Sequence, residues 1–431
     1  MILLKNGRVI DPASGADKNA DVLIIGDKIA LIEDNITENL AESISGKEEL
    51  EVIDCSGRIV GPGLVDIHVH FRDPGFEYKE DIFTGAKAAA AGGFTSVVLM
   101  ANTKPAVDNE ETLKYVIDKG AQTDINVYTC ANVTKGLKGQ ELTDFKSLKA
   151  AGAVGFTDDG IPIVDSNVMK QALLEAAKED VVISLHEEDP KFISNNGVNR
   201  GEASSHFEIG GSDREAEISL VSRDIEMAIE AGAKINVQHI STAETLEMIR
   251  DAKKKTDKQI IFAEATPHHI ALTEEATIKY GTLAKMNPPL RTESDRRAII
   301  EAIKDDTIDF IATDHAPHAK EEKDKAITEA PSGIIGLETA LPVVYEELVK
   351  KEGISFVKLF SKMSLNPAKL YKLPAGKLEE NAVADIVIFN ENLSKEYNES
   401  FSKSKNSPFL GRRFEGNVEY TICKGKVIYR A

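Results

Sequence analysis

The chain has 431 residues, 42% hydrophobic and 29% charged, which excludes a disordered or fibrous protein and allows a large core. Asp and Glu outnumber Lys and Arg by 71 to 52, and the resulting net charge of −19 argues against nucleic acid or an anionic membrane as a partner. The three cysteines lack a CxxC spacing, which argues against a disulfide framework and a thiolate metal site.

The first residues, MILLKNGRVIDP, lack the long apolar segment and the cleavage site of a signal peptide. No stretch of the chain reaches about 18 uninterrupted apolar residues, the length that a membrane span needs. We therefore expect a cytoplasmic protein without a membrane partner.

Both ends of the chain have the alternating pattern of short β-strands separated by turn residues. Asn6-Gly7 and Gly26-Asp27 are the predicted turns near the N-terminus, and Lys424-Gly425 is the one near the C-terminus. Each end is too small to be a convincing domain alone. We predict that residues 1–60 and 376–431 pair into one composite β-sandwich domain.

Residues 61–375 alternate between short apolar runs and amphipathic helical stretches, which is typical of βα units around a parallel sheet. The apolar runs number eight: LVDIHVH, TSVVLMAN, NVYTCAN, AVGFTDDG, VVISLHEED, KINVQHIST, IIFAEATPHH and IDFIATDHAPH. They predict an α/β fold, a (β/α)8 TIM barrel larger than the usual size of about 250 residues. A doubly wound open sheet is the alternative, but such sheets usually stop at about five to seven strands.

The ends of several predicted strands carry metal-ligand side chains, and in a barrel enzyme these ends form the active site. His68 and His70 share one face of the first strand and can bind one ion. Imidazoles and carboxylates without thiolates suit Zn²⁺ and comparable divalent ions. Each residue alone has a structural explanation, such as a turn at an Asp-Gly pair, but together they indicate a metal centre. The other candidates are Asp158, Asp159, His186, His239 and Asp314.

Several motifs identify the family that this sequence resembles. They are, in chain order, GPGLVDIHVHFRDPG, MANTKP, GFTDDG, AEATPHH, MNPPLR and DFIATDHAPH. Together they resemble the bacterial class I dihydroorotases of the amidohydrolase superfamily, from about residue 5 to the C-terminus. The resemblance implies a cyclic amide hydrolase for the third step of pyrimidine synthesis. The reaction is the reversible cyclisation of N-carbamoyl-L-aspartate to L-dihydroorotate with loss of water.

The resemblance also implies two Zn²⁺ per subunit, bridged by an aspartate and a hydroxide. The ligands that it implies are His68, His70 and Asp314 for the first ion, His186 and His239 for the second, and Asp159 as the bridge. Spacing alone does not choose between Asp158 and Asp159. The family places Asp314 to take the proton of the hydroxide and pass it to the leaving nitrogen.

The substrate of this family carries a carboxylate, and the resemblance implies that Arg72, Asn102 and His318 bind it. Arg72 follows His70 by two residues and should point to the same side of the strand, where its planar guanidinium suits a carboxylate. The further substrate contacts that the resemblance implies are His70, Asn287, Ser332 and Gly333. Ser332 stands where a larger residue is common in the family.

Some questions stay open at this stage. A hydantoinase or allantoinase and a non-catalytic partner of aspartate carbamoyltransferase are the competing functions. We expect a homodimer, and an association with aspartate carbamoyltransferase is left open. The charged segment 319–333 could be a mobile lid or a solvated loop. The pattern assigns no role to His206, His268 or His269.

Overall fold

The computed structural model describes residues 1–45, 49–256 and 258–431, and this part of the chain contains sixteen strands. The N-terminal strands are β1 (Ile2–Asp11), β2 (Ala16–Ile25), β3 (Lys28–Glu33), β4 (Glu51–Asp54) and β5 (Ile59–Pro62). The central strands are β6 (Leu64–Val69), β7 (Phe94–Leu99), β8 (Asn126–Thr129), β9 (Phe156–Thr157), β10 (Val182–Leu185), β11 (Lys234–Val237), β12 (Ile261–Ala265) and β13 (Phe310–Ile311). The C-terminal strands are β14 (Ile386–Glu396), β15 (Arg413–Cys423) and β16 (Lys426–Arg430).

The described residues contain fifteen α-helices, and most of them lie in the connections between the central strands. They are α1 (Glu38–Ser45), α2 (Ile82–Ala91), α3 (Glu110–Gly120), α4 (Phe145–Ala150), α5 (Ser166–Glu179), α6 (Glu202–His206), α7 (Glu215–Ala231), α8 (Ala243–Lys255), α9 (Pro267–Ala271), α10 (Glu274–Tyr280), α11 (Glu293–Lys304), α12 (Lys320–Lys323), α13 (Ala340–Val344), α14 (Phe356–Phe360) and α15 (Asn366–Leu370). Within the described ranges, no helix is long and apolar enough to cross a membrane.

The eight central strands close into a parallel barrel. Strands β6–β8 form one parallel set and β9–β13 another. Parallel bridges join the two sets, from Ala131 to Phe156 on one side and from Val69 to His315 on the other. Strands β6 and β7 are buried along their whole length, as expected for strands enclosed on both faces. The predicted (β/α)8 barrel is confirmed, and the open-sheet alternative is excluded.

Strands from both ends of the chain form one sheet, in the order β16-β15-β14-β5-β1-β2-β3, with β4 paired to β1. The antiparallel pairing of β14 with β5 joins the C-terminal strands to the N-terminal ones. Val60, Ile386 and Ile388 are fully buried in the apolar cluster at this junction. The predicted pairing of the two ends is confirmed, whereas the boundaries at residues 60 and 376 stay predictions.

The predicted turn at Asn6-Gly7 is wrong. Strand β1 continues through these residues, and its register with β2 shifts between Leu4 and Gly7, which marks a β-bulge. Asn6 has a φ of 61° there, a conformation that asparagine tolerates better than most residues. Asn-Gly therefore forms a β-bulge here and not a turn. The predicted turns at Gly26-Asp27 and Lys424-Gly425 do separate consecutive strands.

Candidate metal centre and active-site cavity

A cavity of about 400 Å³ opens where the C-terminal ends of the barrel strands meet. His68 is fully buried beside it and contacts two of the residues that line it, Asp159 and Asp314. The structure therefore brings together all twelve predicted site residues, while their roles stay predictions. The predicted residues that line the cavity are His70, Arg72, Asn102, Asp159, His186, His239, Asn287, Asp314, His318, Ser332 and Gly333.

The candidate ligand atoms form two groups that share Asp159. One group is His68, His70 and Asp159, the other is Asp159, His186 and His239, and within each group the atoms lie within 4.8 Å of one another. The Nε2 atom of His68 lies 3.3 Å from Oδ1 of Asp159, and Nε2 of His70 lies 3.4 Å from its Oδ2. Asp159 thus lies between two pairs of imidazoles, the place that a bridging carboxylate needs.

Asp314 adjoins the first of these groups. Its Oδ1 atom lies 3.0 Å from Nε2 of His70 and 3.5 Å from Nε2 of His68. Strands β6 and β13 are neighbours in the closed barrel, so Asp314 lies beside the two histidines although it is far from them in the sequence. Asp314 is therefore placed to contact whatever the two histidines bind.

Two of these atoms have no hydrogen-bond partner among the described residues. Nε2 of His68 and Oδ1 of Asp159 are both buried and unpartnered. Nδ1 of His186 and Nε2 of His239 face each other at 2.9 Å. An unsatisfied buried polar atom costs about 1–3 kcal/mol, and one cation between such atoms would satisfy several of them. The donor set, imidazoles with carboxylates, therefore fits a divalent ion.

The ionisable groups of the centre lie close together and shift one another's pKa values. Burial opposes a charge on His68, but Glu264, Asp159 and Asp314 outweigh it and hold the pKa of His68 well above its ordinary value. Burial also opposes charge on Asp159, yet the nearby imidazoles hold its pKa well below the usual range. Burial and the neighbouring His186 instead lower the pKa of His239. The carboxylates thus make this pocket attractive to a cation.

Three site residues have a left-handed backbone, which is unusual for side chains of this size. Arg72 has a φ of 61°, His239 of 34° and Asp314 of 47°. Such conformations cost roughly 1–3 kcal/mol each and persist where the surrounding structure enforces them. Each of the three follows a barrel strand, so the backbone turns sharply where its side chain meets the cavity.

The structure distinguishes Asp158 from Asp159. The carboxylate of Asp158 turns away from the histidines and accepts hydrogen bonds from the backbone N–H groups of Val133 and Thr134, at 2.9 and 3.1 Å. Asp159 contacts the imidazoles instead. The first aspartate therefore fastens the loop after β8, and the second belongs to the candidate metal centre.

Glu264 contacts the centre, although the sequence pattern did not single it out. Its Oε1 atom lies 2.8 Å from Nδ1 of His68, and its Oε2 accepts a hydrogen bond of 3.1 Å from Asn236. Both Glu264 and Asn236 are fully buried inside the barrel. A charged residue in the apolar run IIFAEA was the one available signal, because a buried carboxylate needs a partner.

The three residues predicted to bind the substrate carboxylate differ in how many of their polar atoms are already hydrogen-bonded within the protein. Among the described residues, the one side-chain hydrogen bond of Arg72 runs from Nε to Pro317 O, at 3.3 Å. Asn102 accepts from Nδ1 of His70 at 3.1 Å and donates to the backbone oxygen of Asp159. Nε2 of His318 donates to Ser332 O at 2.8 Å. Arg72 is therefore the cation with donors left for a ligand, whereas the N–H of His318 is taken.

Asn287, Ser332 and Gly333, which are predicted to contact the substrate, lie on the rim of the cavity. The Asn287 amide nitrogen lies 3.3 Å from Nε2 of His186. Ser332 donates from Oγ to the side chain of Asn196 at 2.6 Å, which joins the loops after β10 and β13. The N–H of Gly333 donates to Lys285 O at 2.8 Å. Asn196 and Lys285 also line the cavity, and the sequence pattern missed both.

The three histidines to which the sequence pattern assigned no role differ in burial. His269 bonds to Thr266 Oγ1 at 2.8 Å and donates to Pro288 O at 3.1 Å, and burial lowers its pKa to about 4. His268 is buried beside it. His206 is exposed at the end of α6. None of these three lines the cavity described above.

Comparison with known proteins adds to this geometry. The Amidohydrolase family pattern matches residues 59–428. A dihydroorotase of Clostridioides difficile is 51% identical over 431 residues, covering 100% of both chains, and one of Streptococcus pneumoniae is 48% identical over 433 residues, also covering 100% of both. Among solved structures, an L-hydantoinase from Arthrobacter aurescens superposes with a TM-score of 0.85 at 23% identity, covering 100% of this chain and 96% of the other. A D-hydantoinase from Thermus sp. gives 0.84 at 22% identity, covering 100% and 95%.

Proposed function

The chain belongs to the amidohydrolase family, and from this premise we propose that it catalyses the dihydroorotase reaction. In the biosynthetic direction, N-carbamoyl-L-aspartate closes to L-dihydroorotate and releases one water. In the reverse direction, water adds to the ring amide and the C–N bond breaks. The curated relatives named dihydroorotase support this assignment, since they match the whole chain at 46–51% identity.

The observation that carries the proposal is the position of Arg72. Its guanidinium lines the same cavity as both groups of candidate metal ligands. Dihydroorotate has a carboxylate on the ring, whereas dihydrouracil and allantoin have none. A guanidinium forms charge-assisted, bidentate hydrogen bonds with a carboxylate, so this cation would be of little use to an enzyme for the uncharged rings.

The competing functions fit the site less well. The hydantoinases share the fold at 21–23% identity, and a likeness at that level does not extend to the substrate. The resemblance in sequence is to a family whose metals are bridged by an aspartate, and Asp159 lies between the imidazole pairs here. A non-catalytic partner of aspartate carbamoyltransferase would lack metal ligands, but all six candidate ligand positions are filled here.

We propose two Zn²⁺ as the cofactor, held by the two groups that share Asp159, with Asp314 beside the first group. The unpartnered Nε2 of His68 and Oδ1 of Asp159 support this assignment, because both atoms face the candidate centre. Bound divalent ions would polarise the ring carbonyl and make a water a better nucleophile at neutral pH.

The side chains of the chain itself then supply binding and proton transfer. Arg72 holds the carboxylate of the substrate, which fixes the ring relative to the strand ends. The Asp314 carboxylate accepts the proton of the attacking water on its oxygen and passes it to the leaving ring nitrogen. In the biosynthetic direction Asp314 takes the proton from the carbamoyl nitrogen instead.

A substrate panel tests the proposal. The purified protein should hydrolyse L-dihydroorotate and cyclise N-carbamoyl-L-aspartate, with no turnover of dihydrouracil, hydantoin or allantoin. Turnover of allantoin or hydantoin without dihydroorotate would favour the alternative cyclic amidases. The homodimer and an association with aspartate carbamoyltransferase stay predictions, which light scattering with and without the purified carbamoyltransferase would test. The cytoplasmic location also stays a prediction.

A further inference from the structure

The carbonyl oxygen of Gly333 accepts hydrogen bonds from two buried side chains of distant parts of the chain. Lys323 donates from Nζ at 3.1 Å, and Asn406 donates from Nδ2 at 3.0 Å. Lys323 belongs to α12, and Asn406 lies in the connection between β14 and β15. Neither residue lines the cavity, whereas Gly333 and its neighbour Ser332 do. The contact thus reaches the rim from outside.

Lys323 is an unusual buried lysine. It is 3% exposed, and among the described residues no carboxylate lies within ion-pair distance of its ammonium. Its Nζ donates instead to the backbone oxygens of Pro331 and Gly333, the first at 2.8 Å. Burial, with the nearby Lys285, lowers the pKa of Lys323 to about 7. The donors of this buried side chain are therefore used by two backbone carbonyls and not by a counter-ion.

Asn406 fastens two rim segments at once. Its amide donates to Ala316 O and Gly333 O, both at 3.0 Å, and its Oδ1 accepts from the backbone N–H of His318 at 3.0 Å. Its backbone oxygen accepts from the N–H of Ile335 at 3.0 Å. Asn406 is 2% exposed, so these bonds are shielded from water. One side chain therefore connects the segment of His318 with that of Gly333.

The rim has a third tie at Lys285. Its Nζ donates to Ala330 O at 2.6 Å, and its backbone oxygen accepts from the N–H of Gly333. Gly333 has a φ of 124°, and a Cβ there would lie 2.7 Å from that of Ala316, so this position needs glycine. The carbonyl oxygens of residues 330, 331 and 333 each accept a hydrogen bond from a lysine side chain. The rim is therefore a fixed wall in this structure.

We propose that Lys323 and Asn406 are positioning residues for substrate binding, which act by holding the Ser332-Gly333 rim and the segment of His318 beside Arg72. The inference rests on the proposed function, because it assigns this rim to the dihydroorotate ring. The segment that joins β14 and β15 thus supports this rim from outside the cavity, through Asn406.

Two substitutions test this proposal in the full-length, zinc-loaded protein. Lys323→Met keeps the aliphatic stem and removes the donors, and Asn406→Asp keeps the Oδ1 acceptor and removes the amide donor. Each should raise the KM for dihydroorotate about tenfold, with kcat and zinc content nearly unchanged. Lys323→Gln retains an amide donor and should recover part of the lost KM. In the double variant, the increase in KM should be smaller than the product of the single increases, because both side chains act on one carbonyl.

Lys320→Met is the matched control. Lys320 is an exposed lysine of the same helix, paired with Asp324, and its loss should leave KM unchanged. Hydrogen exchange of a peptide spanning residues 326–337 should accelerate in the two test variants and not in the control. An unchanged KM in both test variants, with a normal wild-type enzyme, would overturn the inference.

The exchange measurement separates this inference from the proposed function. If the wild-type protein and Lys320→Met both fail to turn over dihydroorotate, the proposed function is wrong. In that case, faster exchange in the test variants would still support the holding role of Lys323 and Asn406. Unchanged exchange would overturn that role.

Discussion

Glu264 holds the imidazole of His68 from the side opposite the cavity. Its Oε1 atom lies 2.8 Å from Nδ1 of His68, and both side chains are fully buried. A carboxylate accepts hydrogen bonds, so this contact keeps a proton on Nδ1. Nε2 then faces Asp159 at 3.3 Å. Contacts of this kind fix the tautomer and orientation of histidines that bind metals.

The first prediction concerns this pair. Glu264→Gln should weaken zinc binding about tenfold, because an amide can donate to Nδ1 and so place the proton on the ligand nitrogen. Competition with a chromophoric chelator measures the affinity without any assay of turnover. Glu217→Gln is the control. Glu217 is another buried carboxylate, bonded to Ser241 and Thr242, and its loss should leave zinc affinity intact. Equal affinities in Glu264→Gln and the wild type would contradict the account.

The second prediction compares two adjacent aspartates. Asp159→Asn removes the ligand that both groups share, so we expect the zinc content per chain to fall and turnover to cease. Asp158→Asn should retain zinc, because the carboxylate of Asp158 binds the backbone of Val133 and Thr134. It should lower the thermal midpoint instead, since a buried hydrogen-bonded network is broken. Metal loss from Asp158→Asn alone would show that the bridging position is misassigned.

The third prediction concerns the carboxylate of the substrate. Arg72→Met should raise the KM for dihydroorotate, since it removes a charge-assisted contact worth about 1.5–3 kcal/mol. Steady-state kinetics with dihydroorotate measures this directly. Arg200→Met provides the control, because Arg200 is an exposed residue paired with Asp213 and is not part of the cavity lining. An unchanged KM in Arg72→Met would remove the basis for preferring dihydroorotate over uncharged rings.

The fourth prediction concerns Asp314, the proposed proton carrier, and His68, a candidate metal ligand. Asp314→Asn should abolish turnover, because an amide cannot carry the proton from the attacking water to the ring nitrogen. His68→Ala should also abolish turnover, through loss of a candidate metal ligand. Full activity in either variant would refute the site assignment.

Much of the architecture follows from local patterns. The eight apolar runs become the eight barrel strands. The candidate ligands could be predicted for the same reason, since the parallel strands of a barrel end on the same face and their last residues are neighbours there. Arg72 could be placed because it follows His70 by two residues.

Contacts between distant segments could not be predicted. The sequence marks Asn406 only as a polar residue in a loop, because its four hydrogen bonds depend on how the connection after β14 packs against the barrel. Lys323 lies in a charged segment whose composition suggests solvent exposure, yet it is buried. The use of the His318 N–H by Ser332 also escaped prediction, because it depends on the fold of the rim. Sequence patterns predict which elements form, and tertiary packing decides which polar atoms are already used.

One measurement tests the central claim most directly: the metal content and the rate of dihydroorotate hydrolysis, determined on the same purified sample of the full chain. We predict two zinc ions per chain and turnover that is lost with the metal on chelation and restored when zinc is returned. A protein that holds two zinc ions and leaves dihydroorotate unchanged would contradict the proposed function.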